Sequence, residues 1–187
     1  MSFYYRILSK IYSRSAKRMC KECADFIKNG YSILDIGCGS GIIAKSFLEF
    51  FQADVVGVDI KDQRVFPIKF QIIDGSHLPF LDNSFDIVLI NYVLHHSKNP
   101  TALLKEAKRV VKDKVIIYED LPEGFFPKLF CQIHGNIFDI FFKNSNKTSF
   151  NTEEEWKEIF NKIGLNIIFR KKINIFPAKQ ELFVLGA

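Results

Sequence analysis

Several features that would place this chain in a specialised class are missing from its sequence. No apolar run approaches the ~18 residues that a membrane-spanning helix requires. Residues 1–6 lack the apolar core and the small-residue cleavage site of a signal peptide, so we expect a cytoplasmic location. Four cysteines among 187 residues predict no disulfide framework in that compartment. The sequence also lacks internal repeats and low-complexity tracts.

Charge of one sign is not concentrated enough to indicate nucleic-acid binding. The net charge is +5, and its clusters, at 10–21 and 170–172, lack the dense basic stripe of a protein that follows a phosphate backbone. A hydrophobic content of 48% and a charged content of 25% are typical of a globular chain. A chain of this length buries roughly 70% of its unfolded surface, so we predict one domain over 1–187.

A glycine-rich turn is the most informative segment that is present. Residues 33–41 read Ile-Leu-Asp-Ile-Gly-Cys-Gly-Ser-Gly, an apolar strand that runs into three closely spaced glycines, and an apolar helix pattern follows. Gly37, Gly39 and Gly41 can adopt backbone angles denied to other residues, and a helix N-terminus presents unpaired N–H groups and a positive dipole end. Cys38 is a small residue that fits beside a ligand. The pattern predicts a polar or anionic ligand at this turn.

The turn differs from a dinucleotide-binding fingerprint. Ile42 occupies the position of the third glycine, and Asp35 stands two residues before the first one. A carboxylate at the strand end suits a cationic amine, while the helix N-terminus suits a carboxylate, and S-adenosylmethionine carries both groups. The alternative is a generic α/β turn that holds no ligand.

An acidic residue ends the next buried strand pattern. Asp59 follows the run Ala53–Val58, eighteen positions after Gly41, where a carboxylate can bind ribose hydroxyls. Ile60 is then placed to lie against an adenine face. The alternative for Asp59 is an ordinary helix N-cap, a position at which aspartate is common.

Two further runs give a resemblance to a known family. They are Asp74-Gly75-Ser76-His77-Leu78-Pro79-Phe80 and Asp82-Asn83-Ser84-Phe85-Asp86-Ile87-Val88, and Leu94-His95-His96 follows them. With the glycine turn and Asp59, they make residues 31–119 resemble class I S-adenosylmethionine-dependent methyltransferases, in particular the group that includes quinone-biosynthesis and other small-molecule enzymes. The resemblance implies that Asp74 contacts the adenine amino group, Gly75 its edge, and Asn91 the methionine end of the cofactor.

The chain departs from that family in two places. Lys112-Asp113-Lys114 is a short turn without the proline and glycines that commonly follow the preceding helix, and this leaves the cofactor assignment unchanged. Asn91-Tyr92 continues into Val93-Leu94 rather than into a Pro-Pro-Tyr motif. We therefore do not expect an enzyme that methylates the adenine amino group.

Apolar periodicity predicts an α/β fold, a single-domain, doubly wound, Rossmann-like sheet of seven strands. Residues 3–28 have helical spacing and Asn29-Gly30 supplies a stop signal, while Ser149 or Asn151-Thr152 begins a helix over 152–163. Further helices are predicted over 41–51 and 100–111, between strands at 31–36, 54–59, 69–73, 85–91 and 114–119, which indicates a parallel arrangement. Strands at 165–173 and 180–186 complete the sheet, and the resemblance implies that the last one is antiparallel.

Catalysis by this class does not depend on one side chain. A sulfonium carries its own activation, so orientation of the reactants, at about 7–11 kcal/mol, outweighs a base that adds about 10²–10⁴-fold. If the acceptor must lose a proton, His95 is the first candidate base, with His96, Glu119 and His134 behind it. The alternative is that His95 and His96 pack and cap at the strand exit.

Cysteine and histidine spacing raises one metal hypothesis. Cys20-x-x-Cys23 and Cys131-x-x-His134 would form a Cys₃His zinc set if the two segments met. Both pairs lie in amphipathic helical patterns, in which cysteine is usually a small core residue. We therefore predict no metal site.

Two segments are predicted to roof the acceptor. They are an N-terminal helical lid over 1–30, with Tyr4, Tyr5 and Arg6, and an aromatic-rich insertion over 121–148. The insertion contains Phe125, Phe126, Phe130, Ile133, Ile137, Phe138, Ile140, Phe141 and Phe142. Periodicity alone favours a helix that packs its apolar stripe on the core. These side chains cover more than one helical face, however, which suggests a hydrophobic acceptor or a protein contact near the cofactor edge.

Three classes of function remain open. The first is methyl transfer from S-adenosylmethionine to a small-molecule acceptor. The second is methyl transfer to tRNA, rRNA or protein, and the third is a cofactor-binding interaction protein without turnover. Aminopropyl transfer from the decarboxylated cofactor is neither required nor excluded by Asp35 and the glycine turn.

Overall fold

A computed structural model describes residues 2–75, 77–142 and 148–187. The helices are α1 (Ser2–Glu22), α2 (Ile42–Phe51), α3 (Pro100–Val110), α4 (Phe125–Phe142) and α5 (Glu153–Ile163), with a short 3₁₀ turn at Leu94–His96. The strands are β1 (Ser32–Ile36), β2 (Asp54–Asp59), β3 (Lys69–Ile72), β4 (Phe85–Asn91), β5 (Val111–Asp120), β6 (Asn166–Ile175) and β7 (Ala178–Gly186).

The strands form one seven-stranded sheet in the order β3-β2-β1-β4-β5-β7-β6. β2 pairs in parallel with both β1 and β3, whereas β7 is antiparallel to both β5 and β6. This architecture confirms the predicted doubly wound sheet with an antiparallel last strand. The carboxyl ends of β1 and β2 lie at one edge because their register pairs Ile36 with Val58.

The chain divides into two compact units, each with its own buried residues. The first comprises 1–89 and 110–113, and the second comprises 90–109 and 114–187. In the first, Leu34, Phe47 and Val55 are fully buried, because β1 and β2 are apolar on both faces and α2 presents one apolar stripe. In the second, Trp156 stacks on Phe160 with ring centroids 6.0 Å apart.

Two helix boundaries test the sequence signals. The helical pattern over 3–28 extends too far, since α1 ends at Glu22 and its continuation tightens into i→i+3 bonds such as Phe26 N–H to Cys23 carbonyl at 2.9 Å. α5 begins as predicted, with Thr152 at the N-cap and a reciprocal capping box to Glu155.

Among the described residues, no helix combines the length and the apolar character that crossing a membrane requires.

Candidate functional site

The glycine turn has the backbone conformation that its sequence predicts. Gly37, Gly39 and Gly41 all have positive φ, at 70°, 49° and 74°, which side chains with a Cβ rarely adopt. Gly41 is the N-cap of α2 and has no side chain to cap the helix, while the neighbouring Ser40 hydroxyl accepts the N–H of Ile42 at 3.4 Å. The first N–H groups of α2 are therefore directed at this turn with the positive end of the helix dipole.

Asp59 is joined directly to the glycine turn. Its carboxylate accepts the N–H of Gly39 at 2.9 Å, and the N–H of Lys61 lies at 3.4 Å. Burial raises the pKa of Asp59 above its ordinary value, while these backbone bonds act to lower it. No helix follows β2 in the described chain, where β3 is the next element, so the helix N-cap interpretation of Asp59 is wrong.

A glycine on β2 that the sequence analysis did not single out supports the turn from below. A Cβ on Gly57 would lie 2.7 Å from Cys38 Sγ and 2.8 Å from Ile68 Cδ1. Cys38 therefore occupies the space above Gly57, which is consistent with its predicted role as a small residue in the turn. The glycine in the strand pattern is the signal that could have indicated this close approach.

The residues predicted to face adenine lie next to each other. Ile60 is 58% exposed, and a Cβ on Gly75 would lie 3.3 Å from Ile60 Cγ2. Gly75 has φ 83°, and the N–H of Ile73 binds the carbonyl of Asp59 at 3.0 Å. The exposed Asp74 accepts the N–H of His77 at 3.2 Å. Fold contacts thus bring Asp59, Ile60 and Gly75 into one small region.

The loop after β2 closes one side of the glycine turn. The N–H of Val65 binds the carbonyl of Ser40 at 2.9 Å, and Arg64 binds the carbonyl of Ile68 at 2.7 Å. Arg64 also pairs with Asp62 and lies over the ring of Phe70, 4.2 Å from its centroid. These contacts fix the loop over the side of the turn that faces Gly41.

Asp35 lies in β1, two residues before the glycine turn, and it is only 1% exposed.

Asn91 ends β4, in the second unit, and is 8% exposed. The next residue, Tyr92, has φ 59°, which is unusual for a residue with a bulky side chain. Its N–H binds the carbonyl of Tyr118 at 2.8 Å and its hydroxyl lies 3.0 Å from Gln180 Oε1. Such enforced backbone conformations are frequent at functional sites. The cofactor contact of Asn91 stays a prediction.

His95 forms a buried pair with Glu119. One carboxylate oxygen of Glu119 lies 2.5 Å from His95 Nδ1, and the other accepts the N–H of Leu94 at 2.9 Å. The ring of Phe150 stacks on His95 with centroids 4.6 Å apart. Burial acts to lower the pKa of His95, but the Glu119 carboxylate outweighs it and raises that pKa. The pair has the base-and-orienter arrangement of general-base catalysis.

Two more histidines lie beside that pair. His96 Nδ1 is 3.0 Å from the hydroxyl of Thr148, which donates to Asp139 at 2.7 Å. Burial, reinforced by the neighbouring imidazoles, lowers the pKa of His96 to about 2, and burial also lowers the pKa of His134. The sequence analysis named all three histidines as candidate bases, whereas it did not single out Thr148 and Asp139, which only folding brings to His96.

The cysteines of the zinc hypothesis are core residues. Cys20, Cys23 and Cys131 are all at most 2% exposed. Burial raises the pKa of Cys20 and of Cys131 to about 12, which disfavours the thiolate form of both. Among the described residues, the one group that could hold a metal ion consists of His95, His96 and His134.

α4 exposes much of its apolar surface. Phe125 is 76% exposed, and Phe126 lies edge-on to the exposed Phe176 at 5.5 Å. Leu129, Ile133 and Ile137 are also exposed. The side chains of Phe138, Ile140, Phe141 and Phe142, and those of Tyr4, Tyr5 and Arg6, lie outside the described residues, as does Ser76.

Known proteins match both the sequence and the fold. Residues 34–118 match the model of a family described as a methyltransferase domain. An uncharacterised protein of Methanocaldococcus jannaschii is 38% identical over 99 residues, which cover 52% of this chain and 48% of that protein. The ubiquinone/menaquinone biosynthesis C-methyltransferase of Cupriavidus pinatubonensis is 32% identical over 112 residues, covering 50% of this chain and 44% of that protein.

A solved structure extends the likeness beyond the matched segment. Magnesium protoporphyrin IX methyltransferase from Synechocystis, solved with bound SAH, superposes with a TM-score of 0.69 at 18% identity, covering 94% of this chain and 84% of that one. At that identity the likeness shows the fold alone. The chain spans less than half the length of the curated relatives that it matches.

Proposed function

We propose that residues 34–118, which match a family described as a methyltransferase domain, take the methyl group from S-adenosylmethionine, and that the chain transfers it to a small, apolar acceptor. The observation that carries the proposal is the bond between the Asp59 carboxylate and the N–H of Gly39, at 2.9 Å. It ties an acidic strand end to the glycine turn, so a carboxylate lies directly at the turn that precedes α2.

The residues of this region fit the cofactor. The turn Gly37–Gly41 and the N-terminus of α2 would hold the methionine carboxylate, and Asp35 would hold its amine. Asp59 would bind the ribose hydroxyls, while Ile60, Asp74 and Gly75 would contact adenine. The glycine N-cap of α2 supports the first assignment, because the positive end of a helix dipole favours an anion and no N-cap side chain stands in its way. The exposure of Ile60 and its closeness to Gly75 support the last.

When bound, S-adenosylmethionine supplies an electrophilic methyl group, so the chain mainly has to orient the acceptor and exclude water. A proton leaving the acceptor would pass to His95. Since Nδ1 of His95 faces Glu119, Nε2 is the nitrogen available for that role. Glu119 would fix the ring and stabilise its protonated form, as the orienting carboxylate does in other acid–base pairs.

The apolar character of the acceptor is inferred from α4. Its exposed phenylalanine, leucine and isoleucine side chains form a larger apolar surface than core packing requires. The quinone-pathway enzyme among the relatives acts, by its name, in the synthesis of lipophilic compounds, which supports the same class. The N-terminal residues 1–30 and the insertion 121–148 are the proposed roof, and the cytoplasmic location stays a prediction.

Cofactor binding is tested by calorimetry with S-adenosylhomocysteine. We expect one site per chain, and a loss of about 10–100-fold in affinity for Asp35→Asn, since a bond to a charged group contributes about 1.5–3 kcal/mol. Asp25→Asn makes the same change of charge at an exposed position and should bind as the wild type does. Folded protein that gives no heat with either form of the cofactor would refute the proposal.

Turnover is tested with a radiolabelled methyl donor. Lipophilic quinone-type and isoprenoid compounds, bulk RNA and a peptide mixture are offered in parallel, and label in the lipophilic fraction is the expected result. Salt-sensitive labelling of RNA would replace the acceptor class by the nucleic-acid alternative. Tight cofactor binding without label in any fraction, together with a stable protein partner on α4, would support an interaction protein.

A further inference from the structure

Three imidazoles converge in the second unit. One ring nitrogen from each of His95, His96 and His134 lies within 4.8 Å of the other two. The residues come from two places in the chain, the 3₁₀ turn at Leu94–His96 and the middle of α4. His95 is only 2% exposed, and its Nε2 has no hydrogen-bond partner among the described residues. A buried polar atom of this kind requires an explanation.

The hydrogen bonds around the cluster fix which nitrogens carry lone pairs. Glu119 accepts at His95 Nδ1, so that nitrogen holds the proton and Nε2 of the neutral ring presents a lone pair. Thr148 donates its one hydroxyl proton to Asp139 and must therefore accept from His96 Nδ1. Nε2 of the neutral His96 ring is then the nitrogen with a lone pair for a metal ion. The buried lone pair on His95 Nε2 needs a donor or a cation beside it.

We propose that His95, His96 and His134 bind one divalent transition-metal ion of the zinc class. The sequence analysis predicted no metal site, because it considered metal binding only for His134 with cysteines in amphipathic helical patterns and the histidines together only as bases. Neutral imidazoles are the commonest protein ligands for such ions, and three of them leave a fourth coordination position open for water or an acceptor oxygen. Tetrahedral zinc needs ligand nitrogens about 3.3 Å apart, which small rotations of the rings would provide.

The surroundings are those of a metal site. Glu119 and the Thr148–Asp139 pair hold the outer nitrogens of two ligands, the arrangement that orients metal-binding histidines. Phe150 stacks on His95, and Phe130 stacks on His134 with centroids 5.6 Å apart.

A glycine brings α4 close enough for the third ligand. A Cβ on Gly135 would lie 3.2 Å from Phe150 Cε2 and 3.2 Å from two atoms of Thr148. The absent side chain lets α4 approach the segment that follows it, and His134 is the neighbouring residue in the helix. His96 and His134 are half-buried, whereas His95 is buried, so the cluster opens to the surface on one side.

Metal titration of the full chain tests the proposal. Protein stripped with a chelator and dialysed is titrated with Zn²⁺ by calorimetry and with Co²⁺ by visible absorption. We expect one ion per chain, a cobalt spectrum of low coordination number, and a rise in melting temperature. His134→Gln, at a half-buried position, should bind at least tenfold more weakly.

The fourth histidine of the chain supplies a matched control. His77→Gln changes the same residue type at an exposed loop position and should bind Zn²⁺ as the wild type does. His96→Asn, also at a half-buried position, provides a second test of the cluster. Wild-type protein that takes up no stoichiometric ion, or equal affinity in His134→Gln, would overturn the proposal.

A metal ion on His95 would occupy Nε2, the same nitrogen that the proposed base role needs, so His95 can act as the base only in protein that holds no ion. The metal proposal and the proposed function are tested separately, because zinc binding is measured without cofactor and S-adenosylhomocysteine binding is measured without metal. Each proposal can therefore fail alone. If the metal-free enzyme has full turnover and His95→Gln abolishes that turnover, His95 acts as the base and a metal in the reaction is refuted.

Discussion

The glycine turn and the histidine cluster are built in opposite ways. The turn lies within nine consecutive residues, and one carboxylate from a neighbouring strand accepts a backbone N–H from it. The cluster uses side chains whose contacts span 24 residues for His95 and Glu119, and 52 for His96 and Thr148. The glycine turn can therefore be recognised as a sequence motif, whereas the histidine cluster forms only when the chain folds.

This difference also sets what each region tolerates. The turn depends on positive φ at three glycines and on the absence of a Cβ at Gly57, so added atoms damage it. The histidine cluster depends on the charge and the lone pairs of its ring nitrogens, so isosteric loss of one polar group damages it without changing the packing. Substitutions of the two kinds should separate the two regions.

Gly57→Val should have the largest effect. Glycine weakens strands, so valine in β2 would normally stabilise the fold, but its Cβ falls 2.7 Å from Cys38 Sγ. We expect the free energy of unfolding to fall by about 3 kcal/mol through overpacking, with loss of S-adenosylhomocysteine binding. Urea denaturation and calorimetry measure both. Cys38→Ala in the same chain should restore part of the loss, and a stabilised Gly57→Val would contradict the close approach.

Asp59→Asn distinguishes ligand binding from support of the turn. The asparagine carbonyl can still accept the N–H of Gly39, which lies 2.9 Å from the Asp59 carboxylate in the wild type. The negative charge that would bind the ribose hydroxyls is removed. We expect S-adenosylhomocysteine affinity to fall by about 10–100-fold, the value of one charged hydrogen bond, with little change in stability. Unchanged affinity in calorimetry, with Asp25→Asn as the control, would reduce Asp59 to a structural role.

Glu119→Gln tests the orienting carboxylate of the histidine cluster. Glutamine keeps the volume and can accept the N–H of Leu94, bonded at 2.9 Å in the wild type, while the charge beside His95 is removed. Loss of such a partner lowers metal affinity by about 10–100-fold. Zn²⁺ calorimetry should show this decrease, and the cofactor affinity of the same protein should not change. Equal zinc affinity would argue against an orienting role.

Asp86→Asn probes a polar contact between β4 and β1 that belongs to neither region and should have the smallest effect. Asp86 accepts the N–H and the hydroxyl of Ser32, at 2.8 and 2.7 Å. Burial acts to raise the pKa of Asp86, but the bonds from Ser32 and Lys112 outweigh it and lower that pKa. We expect about 1 kcal/mol of destabilisation at neutral pH.

The pH dependence of that contact follows from the sign of the shift. A carboxyl whose pKa is lowered in the folded state stabilises the fold at pH values above its ordinary pKa of 3.8. This stabilisation is lost as the pH falls through the lowered pKa. The difference in stability between wild type and Asp86→Asn should therefore shrink below pH 3.8. Denaturation curves across that range measure it, and a constant difference would exclude ionisation as the cause.

The sheet was largely predictable because strands buried on both faces appear as short apolar runs. Six strands begin and end within two residues of their predicted bounds, while β5 begins at Val111 rather than at 114. The absence of proline and glycine around Lys112-Asp113-Lys114 allows the strand to start directly after α3. The end of α1 was not predictable from periodicity, since Cys23 and Phe26 continue the apolar pattern in turns beyond Glu22.

The sequence by itself determined the sheet, the glycine turn and the acidic strand end at Asp59, because backbone conformation and burial leave local patterns in the order of residues. Tertiary structure alone decided that Gly57 makes room for Cys38 and that His134 reaches His95 and His96. Those relations depend on which side chains face one another across distant segments. Their chemistry follows from distance, burial and hydrogen bonding, none of which a linear pattern records.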